Sequence, residues 1–326
     1  MTCISRGIYA ETEEFYIRTL HIFSIFQIPL HAFGTYIVIR KTPSSMEGVK
    51  YTMLLLHLGS GYLDLMLSVL TLPYIIYPTF SATVNGIFGY IRLPVEVIGY
   101  ISFNAIFLLA CCLIVFFEER YNRLVRSNTR SYLTTRILNH ILNFTFASIM
   151  SCPIVLNRPD PDAGRAQDFL DYPCLPSSFL QSPTYYKATT NKLYTVGPLV
   201  AVLFLSIPQV VYFAIRTGMK LFETKAQSRK TSDMQKKFFF SLCIQVTIPL
   251  FIIVFPCFYI QVTAIIGYVD LLFANISMLL ITFHGTFSTI AMLSIHKPYR
   301  IAVFQFFRLY KSTPTTPLFV AKTSSG

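Results

Sequence analysis

Charge is the first thing this sequence lacks. Of its 326 residues only 13% are charged, while 53% are hydrophobic; soluble globular chains carry about 25% charge. So little charge over this length cannot cover a water-facing surface, which excludes a soluble globular protein. Tryptophan is absent beside 30 Phe and 20 Tyr, so apolar bulk rests on those two and interfacial anchoring falls to Tyr. The opening residues hold Glu11, Glu13 and Glu14 in place of an apolar stretch with a small-residue cleavage site. No signal peptide is therefore expected to be removed, and the first apolar segment does the targeting. No internal repeat is visible, against a transporter built from duplicated halves. His-Glu-x-x-His is missing, "GSG" at 59–61 is not Gly-x-Ser-Gly, and Asp64 and Asp270 lie at different depths. Enzymatic activity is not expected.

What is present is long apolar runs. About 20 such residues cross the hydrocarbon as a helix, and the spans fall at Ile17–Ile39, Tyr51–Tyr77, Leu93–Phe117, Ile137–Leu156, Leu193–Ile215, Phe238–Val262 and Val269–Ile295. Asn139, His140 and Asn143 dilute the fourth. Phe238–Ile295 carries a single charge, Asp270; as one helix it would reach about 87 Å through a core of about 30 Å, so it must fold back, with the break near Gly267. The runs are apolar on all sides, unlike the alternation of barrel strands. The fold class is an all-α integral membrane bundle of seven transmembrane helices.

Orientation follows from Lys and Arg. With the N-terminus outside, only Arg6, Arg18, Arg92, Arg158, Arg165, Lys187 and Lys192 of the 27 basic residues lie in outer segments. The rest gather on inner loops and the tail, which sets N-out, C-in. The net charge of +12 then meets anionic lipid of the inner leaflet, not nucleic acid. The expected divisions are an extracellular segment 1–16, a seven-helix domain 17–295, and a cytoplasmic interfacial helix with a disordered tail over 296–326. "IAVFQFFRLY" (301–310) is the interfacial helix.

The third run ends in "FFEERYNRL" (116–124), where two carboxylates oppose the basic trend. Glu119 beside Arg120 can hold that arginine against the helix end. Glu119-Arg120-Tyr121 resembles the acid–Arg–aromatic triplet that rhodopsin-like G-protein-coupled receptors carry there, whose arginine changes partner on activation. Three residues at a membrane edge are equally the pattern of anchors that snorkel to headgroups.

Longer stretches carry a more specific likeness. They are "PLHAFGTYIVIRKTPSSMEGVKYTMLLLH" (29–57), "LDLMLSVLTLPY" (63–74), "FEERYN" (117–122), "NRPDP" (157–161) with "PCLP" (173–176), "KKFFFSLCIQVTIPL" (236–250) and "HGTFSTIAMLSIHKPYR" (284–300). In this order they resemble the nematode serpentine receptors of class H (Srh), a family of chemosensory receptors. The resemblance implies seven helices, a small-molecule chemical cue, signalling through a heterotrimeric G protein, and the plasma membrane of ciliated sensory neurons. The seventh run lacks the Asn-Pro-x-x-Tyr of the broader rhodopsin-like pattern; "HKPYR" stands near that place.

Several residues invite a role. Asp64 sits deep in a span, where a charge costs at least about 2.5–3.5 kcal/mol and needs a partner. Asn104 and His284 (or Thr282) reach similar depth by helical rise, so a polar cluster is expected, holding Na⁺ or water, against the plainer reading of one protonated carboxyl. Cys3 and Cys174 lie in outer, oxidising segments and are the expected disulfide. Pro208, Pro249 and Pro256 interrupt helical hydrogen bonding, as hinges or as fixed bends. Glu96 and Asp270 could meet a cation or pair with Arg92 or Lys192. The sequons at Asn143 and Asn275 fall inside spans and are expected to stay unmodified. A ligand pocket is not legible, and dimerisation is left open. A seven-span ligand-gated channel is the competing function, and a non-signalling membrane protein the other.

Overall fold

The computed structural model describes residues 2–126, 132–223 and 229–307. Among them, seven helices are long and apolar enough to cross a membrane: Glu13–Lys41, Glu47–Leu70, Val95–Leu124, Leu133–Leu156, Leu193–Glu223, Gln235–Ile266 and Leu271–Ile295. Their ends follow local chemistry. The first begins where the Thr12 hydroxyl accepts from the Phe15 N–H at 3.1 Å, and its first turn holds Glu13 and Glu14, its last Arg40 and Lys41, each complementing the helix dipole. The seventh begins where the Asp270 side chain caps Phe273. Gly267, with φ of +70°, supplies the left-handed turn that separates the sixth and seventh, where the sequence placed the break.

The second span ends earlier than the apolar run suggested. It stops at Leu70 after a π-helical turn over Met66–Leu70, and β2 (Pro73–Ile76) pairs antiparallel with β3 (Ser81–Val84). Pro73 has no N–H for a helix, Leu72 adopts φ of +41°, and an apolar run alone does not separate a buried strand from a helix. A third strand, β4 (Tyr186–Lys187), joins β3 through Ala82↔Tyr186 and Ser81↔Lys187. At the chain's start β1 (Thr2–Ile4) runs parallel to β5 (Tyr268–Asp270). These pieces lie over the end of the bundle that carries the N-terminus.

A helix at Pro161–Asp171 flanks the three-stranded sheet. The "NRPDP" motif starts it: Asp160 caps the Asp162 and Ala163 N–H groups, and Pro161 takes the first helical position. Asp168 of this helix is fully buried against the sheet, where it accepts from Lys187 Nζ at 2.5 Å, the Tyr185 hydroxyl at 2.8 Å and the Ser81 hydroxyl. A buried carboxylate persists only with this much compensation.

The seventh helix is central. Of its most apolar window 67% is buried within the protein, against 22% for the fourth and fifth spans. Small residues make that possible, with Ser277, Thr282, Gly285, Thr286, Ser288 and Thr289 all buried. Pro208, Pro249 and Pro256 all lie within continuous helices. Asn143 and Gln209 clasp the fourth and fifth spans through paired amides at 3.2 and 3.0 Å, and Asn275 donates to the Ala10 carbonyl at 3.0 Å, so both sequon asparagines are engaged inside the fold. The tail helix is Lys297–Phe306, packing Phe306 on Phe33 with ring centroids 5.0 Å apart; Arg308 and the tail beyond lie outside the described residues.

Candidate functional site

Asp64 is fully buried at mid-bundle, with polar partners from the first and seventh spans. His31 Nε2 of the first span lies 3.0 Å from Oδ2. From the seventh span the Gly285 N–H donates at 3.0 Å, the Thr286 hydroxyl at 3.3 Å, and His284 Nδ1 lies 3.1 Å from Oδ1. Thr289 Oγ1 links the two remaining imidazoles, 3.1 Å from His31 Nδ1 and 3.4 Å from His57 Nδ1. Gln27 extends the network, accepting from Ser68 at 3.0 Å and donating to the Thr282 carbonyl at 3.3 Å. Spans one, two and seven are thereby tied.

Asp64 and His284 meet as expected, and Asn104 does not join them. Its amide donates to Ser151 of the fourth span at 3.3 Å. Helical rise gives a residue's height but not the direction it faces, and Asn104 lies off the buried stripe Ile98, Ser102, Ala105, Leu109. His31 and His57 take the places that depth alone had left open. The requirement that a buried carboxylate find a partner could have named them, since both are polar groups within apolar runs. The Asp64 carboxylate is engaged by the Gly285 N–H and the Thr286 hydroxyl, and no role for Na⁺ is derived below.

At the opposite end from the sheet, the third span presents Glu118, Glu119, Arg120 and Tyr121. Glu119 does not reserve itself for Arg120. Its carboxylate accepts from Arg123 Nε at 2.5 Å and from Arg136 Nη2. Residues four apart share a helix face, whereas neighbours point about 100° apart. Glu118, 2% exposed, accepts from Arg136 Nε at 2.9 and 3.0 Å, with His140 Nε2 at 3.5 Å. This clamp joins the third span to the start of the fourth. Tyr121 packs at a tilt against Phe213 of the fifth, 5.4 Å between centroids, and the Arg126 guanidinium lies 5.0 Å above the Tyr121 ring. Nearby, His296 Nε2 donates to Gln245 Oε1 at 2.7 Å, and burial pushes that imidazole down to about 4, keeping it neutral.

The N-terminal cap is held by Arg6, which bridges Glu11 at 3.1 Å and Asp270 at 2.8 Å through both its η nitrogens. Asp270 thus pairs with Arg6, while Lys192 donates to the Ala264 carbonyl at 2.5 Å. Glu96 pairs with Arg158 rather than Arg92. Of the two alternatives, a cation or a basic side chain, both carboxylates take a basic side chain, with Arg6 and Arg158 in place of Lys192 and Arg92. Cys174 is in a disulfide, whereas Cys111, Cys112, Cys152, Cys243 and Cys257 are free; the side chain of Cys3, its expected partner, lies outside what the structure describes.

Beneath the sheet is an apolar cavity of about 110 Å³ that the sequence did not reveal. Tyr77 and Phe80 roof it, and Ile98 and Phe107 of the third span, Gln261 of the sixth and Met278 of the seventh wall it. Concave, mostly apolar and sparsely polar is the character of small-molecule sites.

Two comparisons bear on this arrangement. The family described as serpentine type 7TM GPCR chemoreceptor Srh matches residues 11–309. Over 309 residues the chain is 22% identical to serpentine receptor class H-72 of Caenorhabditis elegans, covering 91% of this chain and 87% of that one.

Proposed function

The chain belongs to the serpentine class H (Srh) family of seven-span chemoreceptors, and from that premise we propose that it binds a small chemical cue in the cavity beneath its sheet and signals through a heterotrimeric G protein. It is a multi-pass membrane receptor, and its family is one of receptors rather than enzymes. The observation that carries the reading is the concave apolar cavity between the third, sixth and seventh spans. In this reading the sheet faces outward at the plasma membrane of a ciliated sensory neuron, and the basic end faces the cytoplasm.

The seventh helix supports a route inward. Met278 and Ile281 line the cavity, and His284, Gly285 and Thr286 hold Asp64 about one turn further on. A cue that moves Met278 therefore acts on the donors around Asp64 through one rigid element. Coupling requires that the cue contact two arrangements of that element differently. Pro249 and Pro256 are the bends about which the sixth span moves, each lacking an N–H for its helix. Contact with the G protein falls to Arg120, the 120–136 stretch and the inner ends of the fifth and sixth spans.

The test is expression with a calcium reporter against a panel of small volatile compounds. A response is expected from the intact chain, and Arg120→Ala should lose it at unchanged surface level. Full signalling by that variant sinks the role of Arg120, and silence of a surface-expressed intact chain to the whole panel counts against the receptor reading.

A further inference from the structure

The cavity beneath the sheet has few polar groups, and they are unequally satisfied. No acidic, basic or imidazole side chain lines it among the described residues. Ser102 already donates to the Ile98 carbonyl at 2.7 Å. Tyr77 donates to the Met278 thioether at 3.6 Å, a weak acceptor. Gln261 lines the wall from the sixth span, and its Oε1 is buried without a hydrogen-bond partner. Buried carbonyl oxygens are rarely left so, and each one needs a reason.

We propose that the cue is a compact, uncharged molecule bearing one hydroxyl, whose O–H donates to Gln261 Oε1. The assignment rests on reading this cavity as the cue site. Three properties of the wall set the class. An ion entering it would lose its water and find no opposite charge, so the cue is neutral. An apolar cavity of about 150 Å³ holds one benzene, so about 110 Å³ admits roughly four to five non-hydrogen atoms. A pure hydrocarbon of that size would fill the space but leave Gln261 unpaired, and a site built around a hydrogen bond discriminates against a ligand lacking it. The Tyr77 hydroxyl, held only by sulfur, is a donor at hand for the oxygen of the bound molecule.

1-Butanol and diethyl ether are isomers, and only the alcohol carries a donor. The readout is the melting temperature of the purified full chain in lipid nanodiscs, titrated with each compound at matched bilayer concentration, and with butanoate and butylammonium. 1-Butanol is expected to bind about tenfold more tightly than the ether, the two ions to produce no shift, and Gln261→Leu to lower the alcohol to the level of the ether. Equal affinity of the two isomers, a preference that survives Gln261→Leu, or binding of either ion overturns the hydroxyl assignment and leaves the cavity standing as the cue site. No shift with either neutral isomer overturns the cavity reading and this inference together. The isomer comparison uses the unaltered chain, so it decides even where the variant does not fold.

Discussion

At the scale of single residues, Asp64 keeps its donors because Gly285 has no side chain. A Cβ at that position would stand 2.6 Å from Asp64 Oδ2 and 2.7 Å from the Ser60 carbonyl oxygen. Neither is the free end of a flexible chain, so the helices themselves must separate. Gly285→Ala should therefore cost on the order of 1–3 kcal/mol, the usual range for an overpacked core, read as a lower melting temperature in detergent. Gly197→Ala is the control, since its Cβ would meet nothing nearer than Leu193 at 3.7 Å and the change favours a helix. Equal stability of the two variants would show that Asp64 is not held by close approach. The glycine was not legible as a contact in "HGTFSTIAML", because small residues in an apolar run read as generic packing. Asp64 was legible, because a carboxylate in hydrocarbon is costly anywhere; the facing side chains depend on helix rotation, which hydropathy does not encode.

At the scale of elements, the cap depends on ion pairs that sequence spacing could not match. Arg6 joins the first strand to the turn before the seventh helix through Glu11 and Asp270. Its hydrogen bonds hold the Asp270 carboxyl below the ordinary value of 3.8. Burial alone would raise Glu11, but the N–H groups of Arg6 and Gly7 and the Ser5 hydroxyl outweigh it and keep Glu11 below 4.5. Carboxylates depressed in the folded state stabilise it above their unfolded values, and that contribution is lost as pH falls through their folded ones. Hydrogen-exchange protection factors over residues 2–10, measured against the intrinsic rate at each pH, should stay high near neutral pH and fall below about pH 4.5. Arg6→Gln should lower them already near neutrality and flatten the pH profile; unchanged protection in that variant would remove Arg6 as the tie. The helices themselves were legible because each needs about 20 apolar residues. The sheet was not, since β2 continues the apolar run of the second span and only Pro73 marks the change.

At the scale of the whole molecule, two independent features point the same way across the membrane. The end carrying the sheet holds Arg6, Arg18, Arg92, Arg158, Arg165, Lys187 and Lys192, and five of these are committed to ion pairs there: Arg6, Arg18, Arg158, Arg165 and Lys187. The opposite end gathers Arg40, Lys41, Lys50, Arg120, Arg123, Arg126, Arg136, Arg216, Lys220, Lys236, Lys237, Lys297 and Arg300, the asymmetry that retains a loop in the cytoplasm. The disulfide at Cys174 lies at the sheet end, and disulfides persist where the compartment is oxidising. Charge and redox chemistry have no common cause, so their agreement strengthens the case for N-out, C-in. Epitope tags placed at the two termini decide it in intact cells. The N-terminal tag should bind antibody without permeabilisation and the C-terminal tag only after it. A C-terminal tag reached from outside would place the sheet, its cavity and the Cys174 bridge in the cytoplasm, and the cue would then have to enter the cell to be sensed.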